Sequence, residues 1–243
     1  MVRERAFDVS EIAILTYLMA RSFGKPMVLL PLVVAARFPH AFAIYKANLG
    51  DLNPSDLAGK RVGIRSFTTS TGAWLRGILA NDYGLNLNEI EWITFEDPHV
   101  AEFRDATTRA PEGKNIIQML LDGEIDAALG ETSDDQRVRP LFSDLVAEQN
   151  AWYARHNVMP INHMIVVDSD LAQRSPGAIR EIFRLLAESR TAVGDLSKHG
   201  CSLDGEAVER SLNMIIGYAV QQTLIPRAFS VDELLEDARR ILG

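Results

Sequence analysis

The sequence predicts an α/β fold built as two lobes with a ligand cleft between them. Helical and strand patterns alternate along all 243 residues, which is typical of α/β proteins rather than of proteins whose helices and strands are segregated. Residues 55–160 hold at least two strand–helix–strand units, enough for a small parallel-sheet lobe. We therefore expect one lobe over 51–160 and a second made of 1–50 plus 161–243. Because the chain passes between the two lobes twice, we expect a cleft between them that suits a small ligand.

The N-terminal fifty residues predict two strands and a helix after a short strand end. Phe7-Asp8-Val9 forms that strand end, and apolar residues at helical spacing predict a helix over 11–21. The continuous apolar run over 27–34 is typical of a strand buried on both faces. Residues 40–47, rich in aromatic and apolar side chains, predict the next strand.

The rest of the chain continues the alternation. The predicted strands are 60–64, 91–95, 125–129 and 163–167, and the predicted helices are 72–83, 115–121, 176–191, 205–222 and 231–242. The last helix opens with a capping box in which Ser230 stands three residues before Glu233. We predict a polar, irregular segment over 96–114.

Composition excludes several functional classes. Hydrophobic residues make up 47% of the chain. The net charge is −8, and this negative charge argues against binding to nucleic acid or to an anionic membrane. The single cysteine, Cys201, cannot form an internal disulfide. The charged N-terminus has no apolar signal segment, and the longest apolar run, 26–36, is too short to span a bilayer. We expect a cytoplasmic protein, or a periplasmic one if a start with a signal lies upstream.

The segment from Arg65 to Gly72 is the strongest local signal for binding. It leaves a strand, offers four consecutive hydroxyl residues and enters a helix; the hydroxyl residues are Thr68, Thr69, Ser70 and Thr71. A helix N-terminus attracts anions, and Arg65 could add a bidentate contact to the same carboxylate or phosphate. The alternative is that the hydroxyls only cap the helix.

Five further residues stand where strands begin or end, and each has a structural alternative. Arg37 and His40 flank a turn after an apolar strand, where they could hold a carboxylate or move a proton, or simply lie in solvent. Asn162 and His163 open the strand at the second crossing, and His163 is either a general acid or an interior histidine. Glu131 follows a strand through Gly130.

Glu11, which follows the first strand end, and Glu131 are candidate contacts of ligand hydroxyls or else solvated acids. The remaining histidines, His99, His156 and His199, show no metal-binding spacing. The sequence also lacks the motifs of phosphate-binding loops, nucleophilic serines and dinucleotide sites. We expect no metal and no organic cofactor.

Several segments recur, in this order, in one known family. They are Phe7-Asp8-Val9-Ser10-Glu11, Arg37-x-x-His40-x-x-x-Ile44-Tyr45, Asp56-Leu57-x-Gly59-Lys60-Arg61-Val62-Gly63, Gly77-Ile78-Leu79 with Tyr83-Gly84, and Met159-Pro160-Ile161-Asn162-His163. Together they resemble the 4,5-dihydroxyphthalate decarboxylase family, whose fold is similar to that of type II periplasmic solute-binding proteins. The third segment is weakly specific, since many solute-binding proteins carry it. The second and fifth segments are more specific to this family, and they favour His40 and His163 as cleft residues.

Members of that family normally begin with a strand and a helix before the Phe-Asp-Val segment, and this chain begins almost at it. Either the start lies further upstream, or the lobe made of 1–50 plus 161–243 lacks its first strand. An incomplete sheet exposes strand edges that invite homo-oligomerisation.

The resemblance implies a non-oxidative decarboxylase of a hydroxylated aromatic carboxylate. Under this hypothesis Arg65 with residues 69–71 holds the carboxylate that stays, His163 or His40 donates the proton, and Glu131 or Glu11 contacts a ring hydroxyl. The alternative is a solute-binding protein that captures a small aromatic or aliphatic carboxylate without chemistry. A transporter permease is an expected partner only under that alternative.

Overall fold

The computed structural model describes residues 2–192, 203 and 205–243. Cys201 and His199 lie outside these residues. The strands, in chain order, are β1 (Val9–Ala13), β2 (Met27–Ala36), β3 (Ala43–Lys46), β4 (Arg61–Ile64), β5 (Glu91–Thr94), β6 (Thr108–Arg109), β7 (Ala127–Leu129), β8 (Val138–Pro140) and β9 (Ile161–Asp168). The α-helices are α1 (Ile14–Ser22), α2 (Ser70–Asp82), α3 (Ile116–Asp122), α4 (Leu145–His156), α5 (Ser169–Arg174), α6 (Pro176–Ala192), α7 (Gly205–Gln221) and α8 (Val231–Leu242).

Unit 1, made of Met1–Arg37 and Asn157–Gly243, is built on a three-stranded antiparallel sheet. β9 lies in the middle and pairs with β1 on one side and β2 on the other. Ile165 and Val167 share one face of β9, and they pack in a hydrophobic cluster with apolar side chains of α5, α6 and α8. The helices α1 and α7 contact β9 as well.

Unit 2, Phe38–His156, is built on a six-stranded sheet in the order β6-β5-β4-β7-β3-β8. The strands β6, β5, β4 and β7 are parallel, whereas β3 is antiparallel to both β7 and β8. Val62 and Ile64 pack in one cluster with side chains of α2. At Gly63 a Cβ atom would lie 2.6 Å from Cδ1 of Ile125 and 3.1 Å from Cγ1 of Ile116, so glycine lets α3 approach the other face of β4.

The predicted lobes, 1–50 plus 161–243 and 51–160, differ from these units at both crossings. Residues 38–50 belong to unit 2 because β3 pairs with β7 and β8. Residues 157–160 belong to unit 1, where the backbone N–H of Arg37 donates to the carbonyl of Pro160 at 2.9 Å.

Two predicted elements begin in the wrong place. The helix expected over 11–21 begins only at Ile14, because residues 9–13 pair with β9 as β1. The strand expected over 40–47 is confined to β3, since His40–Phe42 form one 3-10 turn. The sequence analysis missed β6, β8, α4 and α5. In α4 only Trp152 is buried, so that helix has no apolar stripe to reveal it.

A buried carboxylate holds α4 to α2. Asp82 ends α2, and its side chain is only 6% exposed. It accepts a hydrogen bond from Trp152 Nε1 at 3.0 Å. It also lies 2.8 Å from His156 Nε2 and 3.2 Å from Arg155 Nη2. These three groups come from the last turns of α4, so Asp82 holds the end of that helix against the end of α2.

We predict that Asp82→Ala lowers the free energy of unfolding of unit 2 by about 3 kcal/mol, because the buried Nε1–H of Trp152 loses its charged acceptor. Trp74, Trp92 and Trp152 are the three tryptophans and all lie in unit 2, so tryptophan fluorescence in urea reports this unit. Asp51→Ala is the control, since Asp51 pairs with Arg139 on the surface and its loss should leave the unfolding midpoint nearly unchanged. Equal unfolding midpoints for the two variants would contradict the prediction.

Candidate functional site

Three strands of unit 2 end at one edge of the sheet. Because β5, β4 and β7 are parallel neighbours, their carboxyl ends meet there, and ligands of α/β sheets bind at such edges. Arg65 follows β4, Glu96 follows β5 after Phe95, and Glu131 follows β7 after Gly130. The carbonyl of Arg65 accepts the N–H groups of Phe95 at 3.0 Å and Glu96 at 2.8 Å. The structure therefore brings the predicted residues Arg65 and Glu131 to the same edge.

The Glu131 carboxyl stands in a half-buried position at this edge. Desolvation raises its pKa above the ordinary value, and Glu96 adds to this effect while Arg65 opposes it. Gly130 allows the turn because its φ is +88°, and its N–H donates to the carbonyl of Phe42 at 2.6 Å. A carboxyl with a raised pKa exchanges a proton more readily near neutral pH.

Arg65 itself is exposed and interacts only loosely with its neighbour. Its Nη1 lies 3.7 Å from Oε2 of Glu96, and both side chains are about half exposed. The sequence analysis missed Glu96, although it follows a predicted strand as Glu131 does. The loose pairing lets an anion compete for the guanidinium of Arg65.

Two hydroxyls of the loop over 65–72 are used to hold the loop itself. Ser66 and Thr68 are buried, and their hydroxyl oxygens lie 3.1 Å apart. The Ser66 hydroxyl donates to the carbonyl of Asp97 at 3.2 Å, and the Thr68 hydroxyl accepts the N–H of His99 at 2.9 Å. Thr68 therefore joins this loop to the segment after β5.

Thr69 caps the helix that follows. Its Oγ1 accepts the N–H of Gly72 at 3.2 Å, which is the capping role that the sequence left open. A Cβ atom on Gly72 would lie 2.3 Å from Cδ1 of Ile64 and 2.8 Å from Oγ1 of Thr69, so the cap needs glycine there. Ser70 is buried in the first turn of α2 and Thr71 is half-buried. The first turn carries the partial positive charge of a helix N-terminus.

A buried arginine lies beneath the same loop. Arg76 is fully buried, and its Nη2 donates to the carbonyl of Phe67 at 2.8 Å. Its guanidinium carbon lies 3.8 Å from the centre of the Phe67 ring. Burial lowers the pKa of Arg76 to about 9, which leaves it charged at neutral pH. The sequence analysis missed Arg76; the signal was a lone charged residue inside the apolar run of α2.

In unit 1 the structure brings together His163 and Glu11. Nδ1 of His163 lies 3.7 Å from Oε1 of Glu11, and the side chains are 40% and 57% exposed. The pairing register explains the contact: Ala13 is opposite His163 and Glu11 is opposite Ile165, so Glu11 and His163 are diagonal neighbours on one face. The carboxylate of Glu11 thus lies beside the His163 ring, where it can help to orient that ring.

The other predicted residues of unit 1 do not join this pair. Asn162 is buried, and as the neighbour of His163 in β9 it points to the opposite face. Arg37 is exposed at the end of β2. The structure thus places Arg37 and Asn162 near the N-terminal end of β9.

His40 lies in the interior of unit 2. It is 0% exposed, and within the described residues neither ring nitrogen has a hydrogen-bond partner. The rings of Phe38, Phe142 and Trp152 surround it, with centroids 4.9 to 6.2 Å away. Desolvation lowers the pKa of His40 to about 4, so the ring is neutral at pH 7. The structure corrects the expectation that His40 is a cleft acid: it belongs to an aromatic core.

Within residues 2–192, 203 and 205–243, no group of three His, Cys, Asp or Glu side chains is arranged to hold a metal ion. No helix in these ranges has both the length and the apolar character needed to cross a membrane.

No family model matches the chain. Two curated relatives do. One, named 4,5-dihydroxyphthalate decarboxylase, from Comamonas testosteroni, is 29% identical over 200 residues, which cover 74% of this chain and 61% of the relative. The chain is similar to 4,5-dihydroxyphthalate decarboxylases. The second, with the same name, from Pseudomonas putida, is 23% identical over 167 residues, or 62% of this chain and 65% of the relative. The chain thus spans less than two thirds of the length of either relative.

Solved structures of periplasmic binding proteins share the fold. The sulfonate-binding protein SsuA of Methylobacillus flagellatus matches with a TM-score of 0.57 at 11% identity, covering 97% of this chain and 74% of that one. The aliphatic sulphonate-binding protein SsuA of Escherichia coli matches with a TM-score of 0.56 at 13% identity, covering 97% and 76%. The predicted α/β class and its likeness to periplasmic solute-binding proteins are confirmed.

We predict that burial of His40 makes unit 2 less stable in acid. The pKa of His40 is about 4 in the folded protein and 6.5 ordinarily. The unfolded chain therefore binds the extra proton first as the pH falls. The free energy of unfolding should decrease between pH 6.5 and 4, with a total contribution of about 3 kcal/mol from this residue.

Urea unfolding followed by tryptophan fluorescence at several pH values measures this contribution. His40→Gln should flatten the pH dependence over that window, whereas His163→Gln, which replaces a half-exposed histidine, should keep it. Parallel pH profiles for wild type and His40→Gln would show that His40 is not the group responsible.

Proposed function

We propose that the chain is a non-oxidative decarboxylase of a hydroxylated aromatic carboxylate of the 4,5-dihydroxyphthalate class. The observation that carries this proposal is the pairing of His163 with Glu11 on an accessible strand face. The similarity to enzymes named 4,5-dihydroxyphthalate decarboxylase supports the substrate class.

The reaction requires a proton donor and a place for the electrons of the broken bond. Protonation of the ring carbon that bears the leaving carboxylate, with loss of the proton of the para hydroxyl, gives a ketone-like tautomer. The C–C bond then breaks, its electron pair restores the aromatic ring, the oxygen regains a proton, and CO2 leaves. One proton is consumed for each carboxylate lost.

His163 is the proposed donor to the ring carbon, and Glu11 is its positioning residue. A half-exposed imidazole can contact a substrate and recover its proton from water after each turnover. Glu11 helps to orient the ring, because its carboxylate lies 3.7 Å from Nδ1 on the same face of the sheet.

The sheet edge of unit 2 at which β4, β5 and β7 end is the proposed binding site for the carboxylate that remains on the ring. Arg65 supplies the guanidinium, and residues 69–71 supply the N-terminal turn of α2. Arg76 adds a buried positive charge behind the loop. Glu131, with its raised pKa, is the proposed partner of a ring hydroxyl.

A second candidate function is capture of a small carboxylate without chemistry. The shared fold with SsuA proteins favours it, because both of those proteins are named as periplasmic sulfonate-binding proteins. The cytoplasmic location and the homo-oligomer expected from the sequence stay predictions, as does the transporter permease as a partner of the binding form.

Wild-type chain with 4,5-dihydroxyphthalate, followed by proton NMR, separates the two functions. The substrate has one signal for its two equivalent ring protons, and loss of one carboxylate gives a product with three distinct ring protons. We expect the product signals to grow with time. Broadening of the substrate signal without new signals would favour the binding protein.

We predict that His163→Gln lowers kcat by about 100-fold or more with little change in KM, because glutamine keeps polar contacts but cannot donate the proton. The same NMR time course measures it. His156→Gln, which replaces a histidine held by Asp82, is the control and should turn over within about two-fold of wild type. Undiminished turnover in His163→Gln would remove this residue from the donor role.

We predict that Arg65→Gln raises KM by about 10-fold or more and changes kcat less, because a charged, bidentate contact to the substrate carboxylate is lost. Initial rates over a range of substrate concentrations separate the two constants. Arg139→Gln is matched to it, since Arg139 is also an exposed arginine of unit 2 with a surface ion pair. If both variants have the same KM, Arg65 does not bind the substrate carboxylate.

A further inference from the structure

Unit 1 contains a cavity that the proposed reaction does not use. Its volume is about 480 Å³, within the range of small-molecule sites. It is lined by residues of β2, α5, α6 and α8, namely Val28, Ser169, Ala172, Gln173, Pro176, Arg180, Asp237, Arg240 and Ile241. The lining combines an apolar floor with charged groups at the rim.

The floor belongs to the hydrophobic core of unit 1. Val28, Ala172 and Ile241 are nearly fully buried, and all three are members of the cluster that packs on β9. A hydrocarbon body seated on them would leave water at a gain of roughly 25 cal/mol for each Å² of apolar surface. The floor therefore favours a ligand with an apolar ring or chain.

The rim carries a net positive charge. Arg180 Nη1 donates to the carbonyl of Ile241 at 2.9 Å, which uses one of the five N–H donors of the guanidinium and holds it at the end of α8. Arg240 forms an ion pair with Asp237. Two arginines and one carboxylate leave one excess positive charge, and Ser169 and Gln173 add neutral hydrogen-bonding groups.

This cavity is separate from the pair formed by His163 and Glu11. Ser169 follows β9 directly, six residues after His163, which is about 20 Å along a strand. A ligand in the cavity would thus leave His163 accessible.

We propose that this cavity is a second binding site, for a small carboxylate with an apolar body. The ligand's ring or chain lies on Val28, Ala172 and Ile241, and its carboxylate accepts hydrogen bonds from Arg180 and Arg240. The site stands on the lining of unit 1 alone and holds whether or not the chain is a decarboxylase.

Titration of the full chain with 2-naphthoate, followed by backbone amide NMR, tests the site. We expect chemical-shift changes at Ala172, Gln173 and Ile241. The double variant Arg180→Gln with Arg240→Gln should weaken this binding at least 10-fold, and His163→Gln should leave it unchanged. The neutral amide 2-naphthamide should bind at least 10-fold more weakly than 2-naphthoate.

Ala172→Phe keeps both arginines and fills the floor, so it tests the site independently if the double arginine variant fails to fold; it should abolish the shifts at Gln173 and Ile241. Absence of these shifts in wild type would overturn the proposal. Equal affinity for 2-naphthoate and 2-naphthamide, or equal affinity of wild type and a folded arginine variant, would also overturn it, because the cavity would then select only for apolar surface.

Discussion

The antiparallel register between β1 and β9 is the constraint on which the proposed proton donor depends. Side chains of a strand alternate between faces, so a shift of one residue would move Glu11 away from the face of His163. Apolar packing resists that shift, since Val9 packs with Ile165 and Val167 in the core of unit 1. The N-terminal segment is also tied down, because Arg5 Nε donates to Asp168 Oδ2 at 3.0 Å. Ordinary core packing thus sets the geometry of a polar pair.

The two candidate histidines differ only in their surroundings, and that difference decides their chemistry. His40 lies among aromatic rings, where the charged form loses its hydration and the pKa falls to about 4. His163 is half exposed and lies next to the carboxylate of Glu11. Protonation of His40 would place a charge in the core of unit 2, whereas the ring of His163 is reached by solvent. Of these two rings, only that of His163 is accessible to a substrate.

Much of the fold could be predicted from the sequence, and much of the site could not. Long periodic or continuous apolar runs gave α6, α7, α8 and β2 close to their observed bounds. The start of α1 could not be predicted, because residues 9–13 form a strand through pairing with β9, which lies 150 residues further along the chain. The same long-range pairing brings Glu11 to His163. The short segments that resemble the decarboxylase family contain both residues, which made them candidates. Those segments do not show that the two side chains lie together.

In unit 2, strand order alone decides where two of the predicted residues lie. Arg65 and Glu131 each follow a strand, and parallel pairing of β4 with β7 is enough to bring them to one edge. The roles of the hydroxyl residues were harder to predict, because they depend on which neighbours each residue meets in the fold. Thr68 holds the loop to the segment after β5, whereas Thr69 caps α2. The burial of His40 could not be predicted either. Its segment is one of the more family-specific ones, yet its side chain is fully buried.

The most direct test of the account is chemical rescue of His163→Ala. This variant removes the imidazole from a half-exposed position, which leaves room for free imidazole to enter from solvent. The account predicts that added imidazole restores part of the lost decarboxylation of 4,5-dihydroxyphthalate, with a rate that rises with imidazole concentration, and that it does nothing for wild type. A folded, substrate-binding His163→Ala variant that imidazole does not rescue, or one that needs no rescue, would contradict the assignment of the proton donor.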